Sequence, residues 1–138
     1  IPARVTNGLL DSILCDRLQT VMVIHSNHAN EIDAEVRNAM AAMRERGITL
    51  LNQAVLLKEV NDDPDTLVAL SERLFAAGVM PYYLHLLDKV FGAAHFDVPE
   101  QRARQLLSEL AARLPGYLVP KLVREVAGAP SKTTLAPL

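Results

Sequence analysis

The sequence predicts an α/β fold in which parallel strands alternate with helices. Short, continuous apolar segments recur along the chain, and each is followed by a segment whose apolar residues are spaced for one face of a helix. Glycine, proline and asparagine residues separate these segments. Continuous apolar strands are typical of parallel sheets, because crossover helices cover such strands. With 138 residues, 50% of them hydrophobic, the chain can bury a substantial core.

The composition excludes several classes of protein. A net charge of −2 gives no electrostatic reason to bind nucleic acid, and a single cysteine excludes a disulfide framework or a site built from several thiolates. No apolar run reaches the about 18 residues needed to cross a membrane. Asp11 and Asp16 interrupt the apolar start, which argues against a signal peptide. We therefore expect a cytoplasmic protein that binds neither nucleic acid nor membrane.

The first elements are a helix, a strand and a second helix. The turn at Asn7 precedes an apolar helical stripe, and Cys15 within this stretch is expected to be an inert core thiol. A short apolar run near 21–25 predicts a strand buried on both faces. Asn30 is placed to cap the next helix, and Gly47 ends that helix.

Two further strands follow with a helix between them. The apolar run near 48–53 predicts the second strand, and Pro64 suits the first position of the next helix. The third strand is predicted near 79–87. Tyr82 and Tyr83 should point to opposite faces of it, because successive side chains alternate along a strand.

The last part of the chain is predicted as a loop, a helix and a strand. The loop covers 89–98, Pro99 opens the helix, and a fourth strand is possible over 117–123. We divide the chain into (β/α) units over 1–114 and a C-terminal strand segment over 115–138. Four such units are too few for a closed eight-stranded barrel. A small open sheet and part of a larger barrel therefore remain as alternatives.

Both architectures place functional residues at the carboxyl ends of the strands. Polar residues do collect there, whereas the starts of the strands carry nothing comparable. These candidate residues are His25, Ser26, Asn27, His28, Asn52, Gln53, His85, Asp88, Lys89, Glu125 and Lys132. The pattern predicts a polar site that contains carboxylates, without defining its chemistry.

Each candidate also has a structural interpretation. His25 and His28 could cap the following helix, and Asn52 and Gln53 could be hydrogen-bonded core amides. Asp88 could form a surface ion pair, which stabilises little. A metal site would need histidines at helical spacing or three ligands, and the loop after the first strand does not supply them. No metal site is therefore expected in this chain.

Several strings occur along the chain in a specific order and at specific intervals. The strings are His25-Ser-Asn-His28-Ala-Asn-Glu31-Ile32, Leu51-Asn-Gln53-Ala-Val-Leu-Leu-Lys-Glu-Val-Asn61-Asp62, Pro81-Tyr-Tyr83-Leu-His85-Leu-Leu-Asp88, Gly92-Ala-Ala-His95-Phe96, Gly116-Tyr-Leu-Val-Pro120 and Pro130-Ser-Lys132. In this order and at these intervals they resemble the C-terminal half of the lysine 2,3-aminomutase family. The resemblance covers nearly the whole chain and is strongest for the bacterial branch that supplies (R)-β-lysine for modification of elongation factor P.

The resemblance implies a radical S-adenosylmethionine enzyme with a partial, TIM-like (β/α) barrel of six parallel strands. This chain would hold strands four to six and the segment that binds pyridoxal 5′-phosphate. An N-terminal half of the barrel would be its partner, and the first strand of this chain would then have an unpaired edge. A homo-oligomer is also expected, as is transfer of the product to a ligase that acts on elongation factor P.

The resemblance also implies roles for the residues at the strand ends. Lys132 matches the lysine that forms the internal aldimine with pyridoxal 5′-phosphate, which requires a primary amine. Asp88 matches a carboxylate that binds the side-chain ammonium of L-lysine, and Glu125 stands where the family commonly has a second one, as Asp. The segments that would line the S-adenosylmethionine and pyridoxal pocket contribute His25, Asn27, His28, Asn52, Gln53 and His85.

The implied reaction is a 1,2-amino shift that converts L-lysine into β-lysine. A reduced [4Fe–4S] cluster would cleave S-adenosylmethionine, and the resulting radical would abstract hydrogen from Cβ of lysine. The three-cysteine cluster motif of the family is absent from this chain, which has one cysteine. We therefore expect the chain alone to be inactive.

Two other interpretations stay open. A non-catalytic α/β module could use the same residues as a small-molecule pocket or interaction site. An ordinary doubly wound domain could resemble the family by accident, although the ordered strings argue against it.

Overall fold

The structure is a computed structural model that describes residues 2–87 and 97–138. It contains one mixed sheet and four α-helices in the order α1-β1-α2-β2-α3-β3-α4-β4-β5. Their bounds are Asn7–Ile13, Val21–His25, Ala34–Glu45, Thr49–Leu56, Pro64–Ala76, Met80–Leu86, Glu100–Arg113, Lys121–Arg124 and Thr133–Thr134. Within these residues, none of the helices combines the length and apolar character that crossing a membrane requires.

The strands lie in their sequence order in the sheet. Neighbouring strands from β1 to β4 are parallel, as predicted, and β5 pairs antiparallel with β4. This arrangement confirms the predicted α/β fold of parallel (β/α) repeats. The antiparallel strand was not predicted, and it pairs Thr133 and Thr134 with Arg124 and Val123 of β4.

The core lies between the sheet and the helices. Side chains of β2 alternate between buried and half-buried, so one face of this strand packs against the helices and the other is more open. Leu56 and Leu84 are fully buried on the covered face. Leu74 of α3 and Leu110 of α4 belong to the same cluster. Each fully buried side chain of this size contributes about 1.5–3 kcal/mol through burial of apolar area.

Aspartates begin two of the crossover helices. The carboxylate of Asp33 accepts the backbone N–H of Val36 at 2.9 Å, and Asp63 accepts that of Thr66 at 3.1 Å. Each side chain thereby satisfies an N–H group that the helix itself leaves unpaired. The prediction that Asn30 caps α2 is wrong, because a separate 3-10 turn over Ala29–Glu31 precedes that helix.

The first helix is shorter than predicted. It ends at Ile13, and Cys15 and Leu18 form an isolated bridge in which the Leu18 N–H donates to the Cys15 carbonyl. Cys15 is exposed, so the predicted core thiol is wrong. The bridge turns the backbone before the apolar stripe can continue along a helix.

The first strand is only half covered. Val21 and Val23 are 50% and 37% exposed, whereas a strand buried on both faces was predicted. Both side chains project from the face that the helices do not cover. Within the described residues β1 lies at the edge of the sheet and pairs with β2 alone.

Candidate functional site

The carboxyl ends of the parallel strands bring several predicted residues together. His25 lies beside Gln53 in the β1–β2 register, and His85 lies beside Val55 on the other edge of β2. These residues and Glu125 contribute to a cavity of about 270 Å³. The cavity lies at the carboxyl ends of the strands, and the apolar side chains of Leu86 and Leu87 also line it.

Asn52 holds the segment that follows β1. Its side-chain oxygen accepts the Ser26 N–H at 2.9 Å, and its amide nitrogen donates to the Ser26 carbonyl at 3.1 Å. Asn52 is 2% exposed, so both bonds are protected from water. The side chain continues the β1–β2 pairing one residue beyond the end of β1. It thereby fixes the position of His25 at the edge of the cavity.

Asn61 and Asn27 hold the next part of the same segment. The Asn27 side chain accepts the Val55 N–H at 2.9 Å. Asn61 donates to the carbonyls of Asn27 and Val55, both at 2.9 Å, and accepts the Leu57 N–H at 2.8 Å. Asn61 is 1% exposed. The two loops at the ends of β1 and β2 are therefore joined by buried amide groups.

His28 caps a short turn, which is the structural alternative considered for it. Its Nδ1 accepts the Asn30 N–H at 3.1 Å. The carboxylate of Glu31 reaches back to accept the N–H groups of Asn27 and His28 at 2.9 and 3.1 Å. This reciprocal pattern is a capping box, which fixes the direction in which the chain leaves the site.

A β-bulge brings two tyrosines onto one side of β3. Asn52 pairs with Pro81 while the next residue, Gln53, pairs with Tyr83, so Tyr82 is an extra residue in the register. The two rings lie 3.9 Å apart and their hydroxyl groups are 3.1 Å apart. The prediction that they point to opposite faces is wrong, because the bulge interrupts the alternation of side chains. Their hydrogen bond raises the pKa of the Tyr82 hydroxyl.

His85 presents an unsatisfied nitrogen at the cavity. Its Nε2 atom is buried and has no hydrogen-bond partner within residues 2–87 and 97–138. Burial lowers the pKa of His85, and the positive charge of Lys132 lowers it further, with Glu125 acting in the opposite direction. His85 is therefore a neutral imidazole at neutral pH, able to donate or accept a hydrogen bond from a ligand.

Lys132 and Glu125 meet across the β4–β5 hairpin. The Lys132 Nζ lies 3.2 Å from a carboxylate oxygen of Glu125 and 5.6 Å from the centre of the Tyr83 ring. The ammonium thus lies within reach of both a carboxylate and an aromatic ring. Both residues line a second cavity of about 250 Å³.

The structure separates the predicted residues into three groups. His25, Gln53, His85 and Glu125 line one cavity, and Lys132 contacts Glu125. The side chains of Asn27, Asn52 and His28 bind the protein's own backbone, so the structure assigns them contacts that shape the site. Asp88 and Lys89, together with most of the predicted 89–98 loop and His95, lie outside the described residues.

The hydrogen bonds of Asn61 and the position of Tyr83 beside Lys132 could not be predicted from the sequence. Asn61 stands in an Asn-Asp-Asp string that is typical of a turn, and its partner Asn27 lies 34 residues away. Only the order of the strands could have brought the two together. The bulge that sets Tyr83 beside Lys132 has no sequence signal beyond Pro81, which cannot donate a ladder hydrogen bond.

The groups near these cavities are an amine, an aromatic ring and an imidazole. His85, with its unpaired Nε2, lines the larger cavity, and Lys132 lines the smaller one with its amine 5.6 Å from the centre of the Tyr83 ring. Across the part of the chain that the structure describes, no three His, Cys, Asp or Glu side chains are grouped as metal ligands. Cys15, which precedes β1, lies at the opposite ends of the strands and cannot hold a cluster alone.

Curated relatives agree with the resemblance found in the sequence. The chain is 58% identical over 135 residues to L-lysine 2,3-aminomutase of Escherichia coli. The aligned region covers 98% of this chain and 40% of the relative. It is 52% identical over 136 residues to that of Haemophilus influenzae, covering 99% of this chain and 40% of the relative. It is 46% identical over 132 residues to the L-lysine 2,3-aminomutase of Buchnera aphidicola, and the aligned region covers 96% of this chain and 39% of that relative. No protein-family model matches the chain.

Fold and site together define an α/β protein of parallel (β/α) repeats with a cavity at the carboxyl ends of the strands. The chain is a homologue of the proteins named L-lysine 2,3-aminomutase, which confirms the family resemblance. It spans about two fifths of the length of these relatives, since the matches cover 39–40% of them.

Proposed function

We propose that this chain is part of an isomerase that converts L-lysine into β-lysine by a 1,2-amino shift. The observation that carries the proposal is the Lys132 amine, which lies between Glu125 and the Tyr83 ring beside the cavity at the strand ends. The names of the relatives support the choice of lysine as substrate. The family resemblance supports pyridoxal 5′-phosphate, S-adenosylmethionine and a [4Fe–4S] cluster as cofactors.

Lys132 would hold the pyridoxal group, because its amine is the only lysine nitrogen of the described residues that lines either cavity. When bound, the cofactors supply the radical and the electron delocalisation that the amino shift needs. The protein's part is to orient these groups and exclude water. His85 can hydrogen-bond a polar atom of the ligand through its free Nε2, and the Tyr83 ring forms a flat wall beside the amine.

Asp88 and Glu125 are the proposed carboxylates for the ammonium group of the substrate. Two carboxylates around one ammonium would favour lysine over amino acids with uncharged side chains. Gln53 and His25 are proposed to contact the cofactors directly. Asn27, Asn52 and His28 are proposed to act on the cofactors indirectly. Their side chains hydrogen-bond backbone groups of neighbouring segments and so position the loops that would border the cofactors.

Further parts of the proposal rest on the family resemblance or, for the location, on the composition of the chain. They are a homo-oligomeric assembly, an N-terminal barrel half as structural partner, a cytoplasmic location, and transfer of the product to a ligase for elongation factor P. The chain as printed would not hold the cluster, because it has one cysteine. We therefore expect no β-lysine from this chain by itself.

Reductive trapping tests the assignment of Lys132. The complete gene product is incubated with pyridoxal 5′-phosphate, reduced with borohydride and mapped by peptide mass spectrometry. We expect a phosphopyridoxyl group on Lys132 and none on Lys121, a lysine on β4 that serves as an internal control. A modification spread over surface lysines, with no preference for Lys132, would contradict the assignment and favour a non-catalytic module.

A further inference from the structure

The contact between Lys132 and Glu125 follows from the pairing register of the β4–β5 hairpin. Val123 pairs with Thr134 and Arg124 pairs with Thr133 in the antiparallel ladder. The next pair outward is Glu125 with Lys132. Side chains at opposite positions of an antiparallel pair lie within contact distance. The ion pair at 3.2 Å is therefore built into the hairpin.

Glu125 lies between two cavities. It lines the 270 Å³ cavity with His25 and His85, and also the 250 Å³ cavity that contains Lys132. Its side chain is 72% exposed, while that of Lys132 is 29% exposed. The carboxylate is therefore the more exposed partner of the ion pair, and the amine of Lys132, 5.6 Å from the centre of the Tyr83 ring, is the more enclosed one.

One carboxylate cannot neutralise two ammonium groups at once. An ammonium that enters the larger cavity would have to draw Glu125 away from Lys132 or share its charge. The ion pair is partly exposed, and pairs of this kind shift binding equilibria by a small factor. The competition should therefore weaken binding of a second ammonium without abolishing it.

We propose that, in the protein without its carbonyl cofactor, the Lys132 ammonium binds the Glu125 carboxylate, which is the group that the side-chain ammonium of an amino acid would otherwise bind. Lys132 and the ligand then compete for Glu125, so that the cofactor-free protein binds lysine more weakly than its carboxylate would allow. This inference rests on the proposed function, because it takes the ligand to be an amino acid with a side-chain ammonium. It adds that Lys132 competes with the ligand for Glu125 until the lysine binds the carbonyl cofactor.

The test removes the competing charge. Binding of L-lysine to the cofactor-free complete gene product is measured by isothermal calorimetry for the wild type and for Lys132→Met. We expect Lys132→Met to bind L-lysine about two- to fivefold more tightly, the factor that an exposed ion pair can supply. Norleucine has the same carbon chain without the ammonium, and its binding should not change.

Two variants serve as controls. Lys121→Met removes the same charge from β4, where Lys121 Nζ lies 6.0 Å from the centre of the Tyr82 ring, and it should not change the affinity for lysine. Glu125→Gln combined with Lys132→Met should lose the gain. A second substitution, Lys132→Gln, repeats the measurement if the methionine variant is unstable, as judged by circular dichroism.

Three results would overturn the inference: unchanged or weaker lysine binding by Lys132→Met, an equal gain for norleucine, or an equal gain in Lys121→Met. If pyridoxal 5′-phosphate is still trapped on Lys132 in the wild type, these results contradict this inference only. If no pyridoxal is trapped on Lys132, the proposed function itself fails.

Discussion

Removal of the Asn61 side chain should destabilise the protein at the site. Asn61→Ala deletes three hydrogen bonds of 2.8–2.9 Å and leaves the Leu57 N–H and two carbonyl groups without this partner. A buried hydrogen bond contributes about 1 kcal/mol net, and an unpaired buried donor costs about 1–3 kcal/mol. Because Asn61 is 1% exposed, water cannot easily replace the bonds. We expect a loss of about 2–4 kcal/mol in the free energy of unfolding.

Urea unfolding followed by circular dichroism measures this loss, and amide hydrogen exchange locates it. Exchange of the Leu57 and Val55 amides should accelerate most. The Leu57 N–H donates to Asn61 itself, and the Val55 N–H donates to Asn27, whose carbonyl accepts a hydrogen bond from Asn61. Asn38→Ala is the matched control, since Asn38 is exposed on α2 and alanine is the better helix former. If Asn61→Ala lowers the free energy of unfolding by less than about 0.5 kcal/mol, as the control does, the hydrogen bonds of Asn61 do not stabilise the two loops as argued.

Other predictions concern protonation, a helix cap and the bulge. The pKa of His85 is lowered in the folded protein, so the unfolded chain binds more protons below pH about 6.5. Stability should therefore fall as the pH drops below this value, and His85→Gln should flatten the dependence; an unchanged slope would argue against a buried neutral imidazole. Asp63→Ala removes the cap of α3 and should cost about 1 kcal/mol in urea unfolding, whereas Asp63→Asn should restore most of it. Tyr82→Phe keeps the ring stack and should fold normally, while Tyr82→Ala should increase the exposure of Tyr83 to solvent, as seen by fluorescence quenching.

The order of the elements and the end of the sheet that carries the site could be predicted from sequence. Apolar runs near 21–25, 48–53 and 79–87 are local signals, and the strands β1, β2 and β3 lie there. The rule that functional residues lie at the carboxyl ends of parallel strands predicts that His25 and His85 lie at the same end of the sheet, and both line the larger cavity.

The details that were missed depend on distant residues or irregular backbone. A two-residue strand such as Thr133–Thr134 has no periodicity, so the hairpin that joins Lys132 to Glu125 could not be read locally. The bulge at Tyr82 breaks the alternation on which the prediction for the tyrosines rested. Cys15 was assigned to a helix because its neighbours share an apolar spacing, yet the Cys15–Leu18 bridge ends that helix first.

The most direct test of the proposed function is product analysis. The complete gene product is reconstituted with an iron–sulfur cluster, pyridoxal 5′-phosphate and S-adenosylmethionine, reduced, and incubated with L-lysine. We predict β-lysine from the wild type, none from Lys132→Ala, and none from the 138-residue chain treated in the same way. Absence of β-lysine from the wild type, or its formation at the wild-type rate by Lys132→Ala, would contradict the proposal.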